Sequence, residues 1–369
     1  MKVMQTIWLI NILSVFVLCV FFSRFVILQI LLIAFRKRLF DEPDERKIHQ
    51  DAIPRLGGIA FKGVLFFTFA LLLALNMSLG YSELLDGIRL EALPLAYVFC
   101  AVCLAHIVGL GDDLTGVRYR AKFLVQIICG VMLVAGGIVL SDLQGMLFIH
   151  TLPMWISIPL SILATVFIIN AINLIDGIDG LASGLCMVAY FFYGIFFLIH
   201  QQQIYAMISF ASLGMLIPFY YYNVFGKANR GRKIFMGDTG SMTMGVLLCF
   251  LSFRFTHLKE VEPLIQSNAN LFVMAFSPLL IPCFDVLRVF LFRIRHGKNP
   301  FLPDRNHIHH NLMATGLSAH QTMVILITGS VLLTILNVVL SCYISATALL
   351  CIDVALWILF DRLIAAKMK

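Results

Sequence analysis

The sequence predicts an all-α integral membrane protein with about eleven transmembrane helices, and three observations carry that prediction. Of its 369 residues, 60% are hydrophobic and only 13% charged, with a mean hydropathy of +0.94. A water-soluble core cannot hide so much apolar surface. The apolar residues also gather into eleven stretches of the length, about 20 residues, that a helix needs to cross a bilayer. Finally, Lys and Arg concentrate in every second connection between those stretches.

The stretches cover residues 5–24, 58–80, 92–111, 121–140, 153–173, 181–199, 204–223, 239–256, 269–291, 320–341 and 344–362. The first outruns a signal peptide and lacks a small-residue cleavage pattern, so it reads as a retained span. Its helix can run on through Val26–Phe35 along the membrane surface. With the N-terminus outside, the inner connections hold Arg36, Lys37, Arg38, Arg46, Lys47 and Arg55, then Arg118, Arg120 and Lys122. Further along they hold Lys227, Arg230, Arg232 and Lys233, then Arg293, Arg295, Lys298 and Arg305, and lastly Arg362, Lys367 and Lys369. The outer side keeps Lys2, Arg89, Arg254 and Lys259, with Arg24 ambiguous. That bias sets the N-terminus outside and the C-terminus in the cytoplasm.

No internal repeat, low-complexity tract or linker divides the chain, so residues 1–369 read as a single membrane domain. The formal net charge of +7 is spread over short loops rather than one stripe, which argues against nucleic acid as a partner. Nine Cys lie almost wholly in apolar runs. Cys100 and Cys103 have zinc-knuckle spacing but no matching pair, and no disulfide framework is implied.

Against this apolar background four polar clusters stand out. Asn170-Ala-Ile-Asn-Leu-Ile-Asp-Gly-Ile-Asp-Gly180 lies between two membrane-length runs and carries Asn170, Asn173, Asp176 and Asp179. A charge near hydrocarbon costs roughly 2.5–3.5 kcal/mol on insertion scales, so such groups are functional candidates. The same residues also suit a helix end at Gly177 and a cap at Asp179. Asp112-Asp113 closes the third span; one can bind Mg²⁺ while the other serves as a base, or both can sit at a solvated helix end. Phe235-Met-Gly-Asp-Thr-Gly-Ser241 opens the eighth span and sets Asp238 at a helix N-terminus, as a cap or as a hard oxygen ligand beside phosphate-binding N–H groups. Asp304-Arg305-Asn306-His307-Ile308-His309-His310 follows the ninth. Its spacing fits no helix face for zinc and reads better as donors for phosphate oxygens. His49 and Arg55 are weaker candidates, and Asp285 with Arg288 one turn on reads as a structural pair.

All four clusters fall on the cytoplasmic side, which favours one composite site. Carboxylates for Mg²⁺, cations for phosphate and a membrane surface together suggest phosphoryl transfer between a soluble nucleotide and a lipid. A transporter would place its acids near the midplane in broken helices with repeat symmetry. A CDP-alcohol phosphotransferase would follow Asp176-Gly177 with an Ala-Arg pair that this chain lacks.

Gly111-Asp112-Asp113, Asn170-Ala-Ile-Asn173 with Asp176-Gly-Ile-Asp-Gly-Leu181, Phe235–Ser241 and His307-Ile-His-His310 resemble the polyprenyl-phosphate N-acetylhexosamine-1-phosphate transferases. That superfamily includes the initiators of enterobacterial common antigen, O-antigen and wall teichoic acid, and the peptidoglycan translocase. The resemblance covers nearly the whole chain, in order. It implies a UDP-sugar and undecaprenyl phosphate as substrates, UMP as a product, Mg²⁺ or Mn²⁺ as cofactor and the bacterial cytoplasmic membrane as location; the oligomeric state stays open, a homodimer included.

By position, Asp112 matches the residue proposed as base toward the lipid phosphate, with Asp113 beside it, and Asp238 matches the metal-binding aspartate. Asn170, Asn173 and Asp176 would line the metal and pyrophosphate, Asp176 as a catalytic group and Asn173 as a metal ligand. Asp179 would reach the uracil, Phe235 would stack on it and Asn223 would lie near the nucleotide. Arg305, His307, His309 and His310 would contact phosphate. No role carries over to Lys122, the nearest lysine behind the acids. The histidines interrupted by Ile308 look like the N-acetylglucosamine-type enzymes, so UDP-N-acetylglucosamine is the expected donor; UDP-GalNAc, UDP-fucosamine-type sugars and UDP-MurNAc-pentapeptide are the alternatives.

Overall fold

The structure, a computed structural model, describes residues 2–37, 53–258, 269–299 and 306–368. Each apolar stretch folds as helix, because lipid offers the backbone no hydrogen-bond partner and a helix satisfies its own. Helix α1 (Lys2–Lys37) is unbroken over 36 residues, about 54 Å at 1.5 Å per residue, so the expected extension past residue 24 is part of the same helix. Buried Asn11 and Asn76 exchange amide hydrogen bonds of 3.1 and 2.8 Å and tie α1 to α2 (Ile59–Ser78). The short α3 (Glu83–Leu90) leads into α4 (Ala92–Thr115). Gly116, at φ 72°, ends α4 and reverses the chain into α5 (Tyr119–Ala135).

Helices α6 (Met154–Ile175), α7 (Leu181–Ile199) and α8 (Gln203–Val224) follow. Then come α9 (Gly237–Thr256) and α10 (Leu271–Phe276). The ninth expected stretch is broken. A 3₁₀ turn over Ser277–Leu279 separates α10 from α11 (Leu280–Arg295), because Pro278 has no N–H to continue the ladder. After α12 (Ile308–Ala314), α13 (Ala319–Leu340) starts at a capping box in which Ser318 and Gln321 satisfy each other's backbone N–H. Ser345 caps α14 (Ala346–Lys367).

Among the described residues, eight helical segments are long and apolar enough to cross a membrane: α1 from Gln5, α2, α4, α6, α7, α8, the α10–α11 segment and α13. The other three expected spans are helices with identifiable reasons for falling short. Helix α5 has only 17 residues, and α14 carries Asp353, Asp361 and Arg362. Helix α9 is buried along nearly its whole length and packs against α4, α6, α7 and α10. Sheltered from lipid, it can carry the Ser, Thr and Gly residues that let neighbouring backbones approach. A β-carbon at Gly109 of α4 or at Gly58 would strike the backbone of Thr239 or Gly240. The N-terminus of α9 is thereby clamped between α4 and the loop before α2.

Candidate active site

The site is built around that N-terminus. A helix start leaves backbone N–H groups without partners, and here Asp113 supplies the cap from another helix. Its Oδ1 accepts the Asp238 N–H at 2.8 Å, and its Oδ2 accepts the Thr239 N–H at 2.9 Å and the Thr239 hydroxyl at 2.5 Å. Both oxygens of Asp113 are therefore engaged in holding the end of α4 to α9. Beside it, Asp112 accepts the Val117 N–H at 2.7 Å through Oδ1, and its Oδ2 lies 3.1 Å from the Lys122 ammonium.

Lys122 also pairs with Oδ2 of Asp238. Asn173, in the last turn of α6, donates to Asp238 Oδ1 at 3.0 Å and to Ser241 Oγ at 2.9 Å. Four helices thus meet in one polar set: Asp112 from α4, Lys122 from α5, Asn173 from α6 and Asp238 from α9. Lys122 had no role in the sequence reading. The available signal was the tight reversal at Gly116, which sets the first turn of α5 beside the last turn of α4.

The loop between α6 and α7 carries the next acids. Asp176 is reached by solvent, yet protein crowds it within the concave site. That desolvation, with the charges of Asp238 and Asp179, raises its pKa to about 7 against the opposing pull of Arg55. Asp179 pairs with Lys233 at 2.6 Å, a partner from a basic run that sequence alone left unassigned. Phe235 is fixed through its backbone, with its N–H donating to Pro54 O and its carbonyl accepting from Gly57, both at 2.9 Å.

Two expected contacts come out differently. Asn223 is buried and brackets two loops, accepting the Gly180 N–H at 2.6 Å and donating to Ile234 O at 2.9 Å. It sets the loops bearing Asp179 and Phe235, with its own amide already engaged. Asn170 sits one turn deeper than Asn173 and does not join the polar set. It exchanges hydrogen bonds of 2.6 and 3.3 Å with Gln126 and donates to Val166 O at 2.8 Å, so it cross-links α5 and α6.

The histidines come to the same place. The His309 ring is buried and lies directly against Gly177, where a β-carbon would overlap its Nε2. Neither ring nitrogen of His309 has a hydrogen-bond partner among the described residues. Burial and the neighbouring His310 push its pKa down to about 3, so the ring is neutral at physiological pH. His307 and His309 stack at 5.8 Å, and His310 sits edge-on to His309 at 4.2 Å. His307 donates through Nδ1 to Asp285 at 2.8 Å. Arg305, like Asp304 and His49, lies outside the described residues. Gly177→Ala should push the His309 ring out of place and lower turnover about tenfold without lowering the unfolding temperature, measured by an activity assay and thermal melting in detergent.

The donor set is hard oxygen: Asp112, Asp176, Asp238 and the Asn173 amide; with Asp113 and Asp179 the acids outnumber the local cations Lys122, Arg55 and Lys233. Among the described residues no three His, Cys, Asp or Glu approach closely enough to hold a metal ion by themselves. An oxygen donor set of this kind is of the chemistry that suits Mg²⁺, which is usually bound through one or two carboxylates and completes its octahedron with water and substrate phosphate.

A helical bundle with eight membrane-length helices among the described residues, gathering carboxylates, a lysine and the His309 ring at one end, defines the class as integral membrane protein. The comparisons make the class specific. The family described as glycosyl transferase family 4 matches residues 95–256. The undecaprenyl-phosphate alpha-N-acetylglucosaminyl 1-phosphate transferase of Yersinia pestis is 32% identical over 317 residues, 83% of this chain and 78% of its own. Its namesake from Escherichia coli O157:H7 is 32% identical over 307 residues, 81% and 76% of the two chains. A Bacillus subtilis protein named as a probable undecaprenyl-phosphate N-acetylglucosaminyl 1-phosphate transferase is 29% identical over 298 residues, 80% and 75%. The chain belongs to glycosyl transferase family 4, among the polyprenyl-phosphate N-acetylhexosamine-1-phosphate transferases. It is a multi-pass membrane transferase.

Proposed function

We propose that the protein transfers N-acetylglucosamine 1-phosphate from UDP-N-acetylglucosamine to undecaprenyl phosphate and releases UMP. The observation that carries this reading is the Asp112–Lys122–Asp238–Asn173 set at one end of the bundle, in a chain 32% identical to transferases named for that reaction. A phosphate oxygen of the lipid attacks the β-phosphorus of the donor. The new P–O bond forms as the bond to the bridging oxygen breaks, and UMP leaves with that oxygen and its electron pair. Phosphate monoesters have a second pKa of about 6, so at neutral pH the nucleophile is already largely ionised. The protein's task is then positioning and charge neutralisation.

Lys122 supplies fixed positive charge, and His309 offers an N–H to a phosphate oxygen. Asp176 takes the proton from an acceptor that arrives as the monoanion. Asp179, Lys233 and Phe235 form the nucleotide end. Direct displacement is favoured over a covalent aspartyl intermediate because all four oxygens of Asp112 and Asp113 are already engaged. Mg²⁺ or Mn²⁺ would be held by Asp238 and Asn173 and would supply electrostatic stabilisation of the pyrophosphate. With the N-terminus outside and eleven crossings, as the charge bias of the sequence suggests, the site of this one transferase domain would face the cytoplasm, where UDP-sugars are made.

The pKa of Asp176 gives a signed expectation. Near pH 7 its carboxyl is half protonated, and a cation bound beside it favours the ionised form, so cation binding releases a proton. Apparent Mg²⁺ affinity should rise with pH across neutrality, and calorimetry in buffers of different ionisation enthalpy should detect the release. Asp176→Asn should abolish it; equal release from that variant would assign the proton elsewhere.

The reading is tested by giving the purified protein undecaprenyl phosphate, Mg²⁺ and, in parallel, UDP-GlcNAc, UDP-GalNAc or UDP-MurNAc-pentapeptide. Lipid-linked product with UDP-GlcNAc alone is expected. Product with another donor alone would keep the reaction type and overturn the sugar. No UMP from any donor, in a folded preparation, would overturn the reaction.

A further inference from the structure

We infer that Asp285 and Arg288 are positioning residues of this site, which hold His307 so that its Nε2 is the nitrogen offered to substrate phosphate. The inference rests on the functional reading above and adds to it residues that sequence alone paired only with each other.

Asp285 and Arg288 stand one turn apart on α11, where an acid and a base at i and i+3 share a face. Their contact, 3.0 Å, is present, but it is the smaller part of what they do. Asp285 is fully buried. Its Oδ2 accepts from His307 Nδ1 at 2.8 Å, and its Oδ1 accepts the Ile308 N–H at 2.8 Å. Arg288 donates to the carbonyl of Asn306 and pairs with Asp361 of α14 at 3.4 Å. Three successive residues of the loop are thereby fixed from one helix: the carbonyl of Asn306, the ring of His307 and the N–H of Ile308.

A buried carboxylate needs its lone pairs satisfied. An arginine alone could supply several N–H groups to Asp285, yet two of the three donors come from the histidine loop. The carboxylate has no proton to give, so Nδ1 of His307 carries a hydrogen in the neutral and the protonated ring alike; the protonated ring has in addition an Nε2–H to donate to a phosphate oxygen. Nε2, on the opposite side of the ring, is left facing away from the clamp. A carboxylate behind an imidazole fixes its tautomer and ring orientation in this way. His309 lacks such support, because both of its nitrogens are unbonded. The stacked pair therefore divides into one ring fixed by α11 and one held by packing against Gly177.

The test is a double-mutant cycle on turnover, joining Asp285→Asn and His307→Ala, with Asp361→Asn as a milder variant at a partly exposed position. If Asp285 acts through His307, Asp285→Asn should lower kcat 10- to 100-fold in the parent protein with little change in donor KM. It should cost nothing further once His307 is Ala. Asp361→Asn should show the same pattern with a smaller loss. Additive losses in the cycle, or losses that track the unfolding temperature rather than kcat, would overturn the positioning role and leave the transferase reading standing. The cycle is run on whichever UDP-N-acetylhexosamine the parent protein turns over, so a different sugar leaves the inference intact. A parent protein that turns over none of them overturns the functional reading and this inference together.

Discussion

Asp238→Asn is expected to lower transfer at least 10³-fold while the protein still inserts, folds and melts within a few degrees of the parent. The side chains are nearly the same size, and Asp113 would still cap α9 through the backbone N–H groups of residues 238 and 239. Losing a carboxylate at a helix N-terminus costs about 0.3–1 kcal/mol of stability, too little to unfold the bundle. The loss to chemistry is larger. Asp238 is the acid shared by Lys122 and Asn173, and an amide there would leave the ammonium with Asp112 alone and remove the charge that a divalent cation requires. Removing one preorganised electrostatic group from an active site typically costs 10²–10³ in rate, and here the proposed cation site would go with it. UMP release by purified protein at matched folded concentration checks the result; turnover within tenfold of the parent would remove Asp238 from the site.

Lys122→Met is the second large effect, about 10²-fold in turnover on the same scale. Methionine keeps the length and packing of the side chain and deletes only its charge. Asp112 and Asp238, now joined through the ammonium, would face each other uncompensated, and like charges at close range disfavour joint ionisation. The fixed cation proposed to neutralise the incoming phosphates would also be gone. Removal of a positive charge next to a cation site strengthens cation binding, so the Mg²⁺ concentration for half-maximal rate should fall even as the maximal rate falls. A variant with weaker Mg²⁺ dependence and normal turnover would mean that the lysine serves only to hold α5 to α4.

The helices were legible because the bilayer restricts the chain severely: a span must be apolar over its length and must satisfy its own backbone. Residues 181–199 match α7 to the residue. Legibility dropped where a helix is shielded by its neighbours, as in α9, or broken inside an apolar run, as at Pro278. The gathering of the polar clusters was also readable, since Asp112, Asn173 and Asp238 do meet, and so do Gly177 and His309.

The partners of individual atoms were not readable. Nothing in Asp112-Asp113 says that one acid caps a helix 125 positions away while its neighbour binds a lysine ten positions on. Asn170 and Asn173 look alike in sequence, yet a single turn separates an amide engaged with Gln126 from one on Asp238. The Asp285–Arg288 pair was correctly seen as a contact, and its larger role was hidden because His307 joins it from another segment. Such assignments depend on how distant helices cross, which one chain's periodicity does not encode.

The most direct measurement of the central claim uses UDP-N-acetylglucosamine labelled with ³²P in its β-phosphate, incubated with undecaprenyl phosphate, Mg²⁺ and the purified protein. The label should move into the organic phase with the lipid while unlabelled UMP accumulates in equal amount, and Asp238→Asn should leave the label in water. Label retained in UDP while sugar enters the lipid would mean glycosyl transfer without the phosphate. That result would contradict attack at the β-phosphorus and the role assigned to the Asp112–Lys122–Asp238 set.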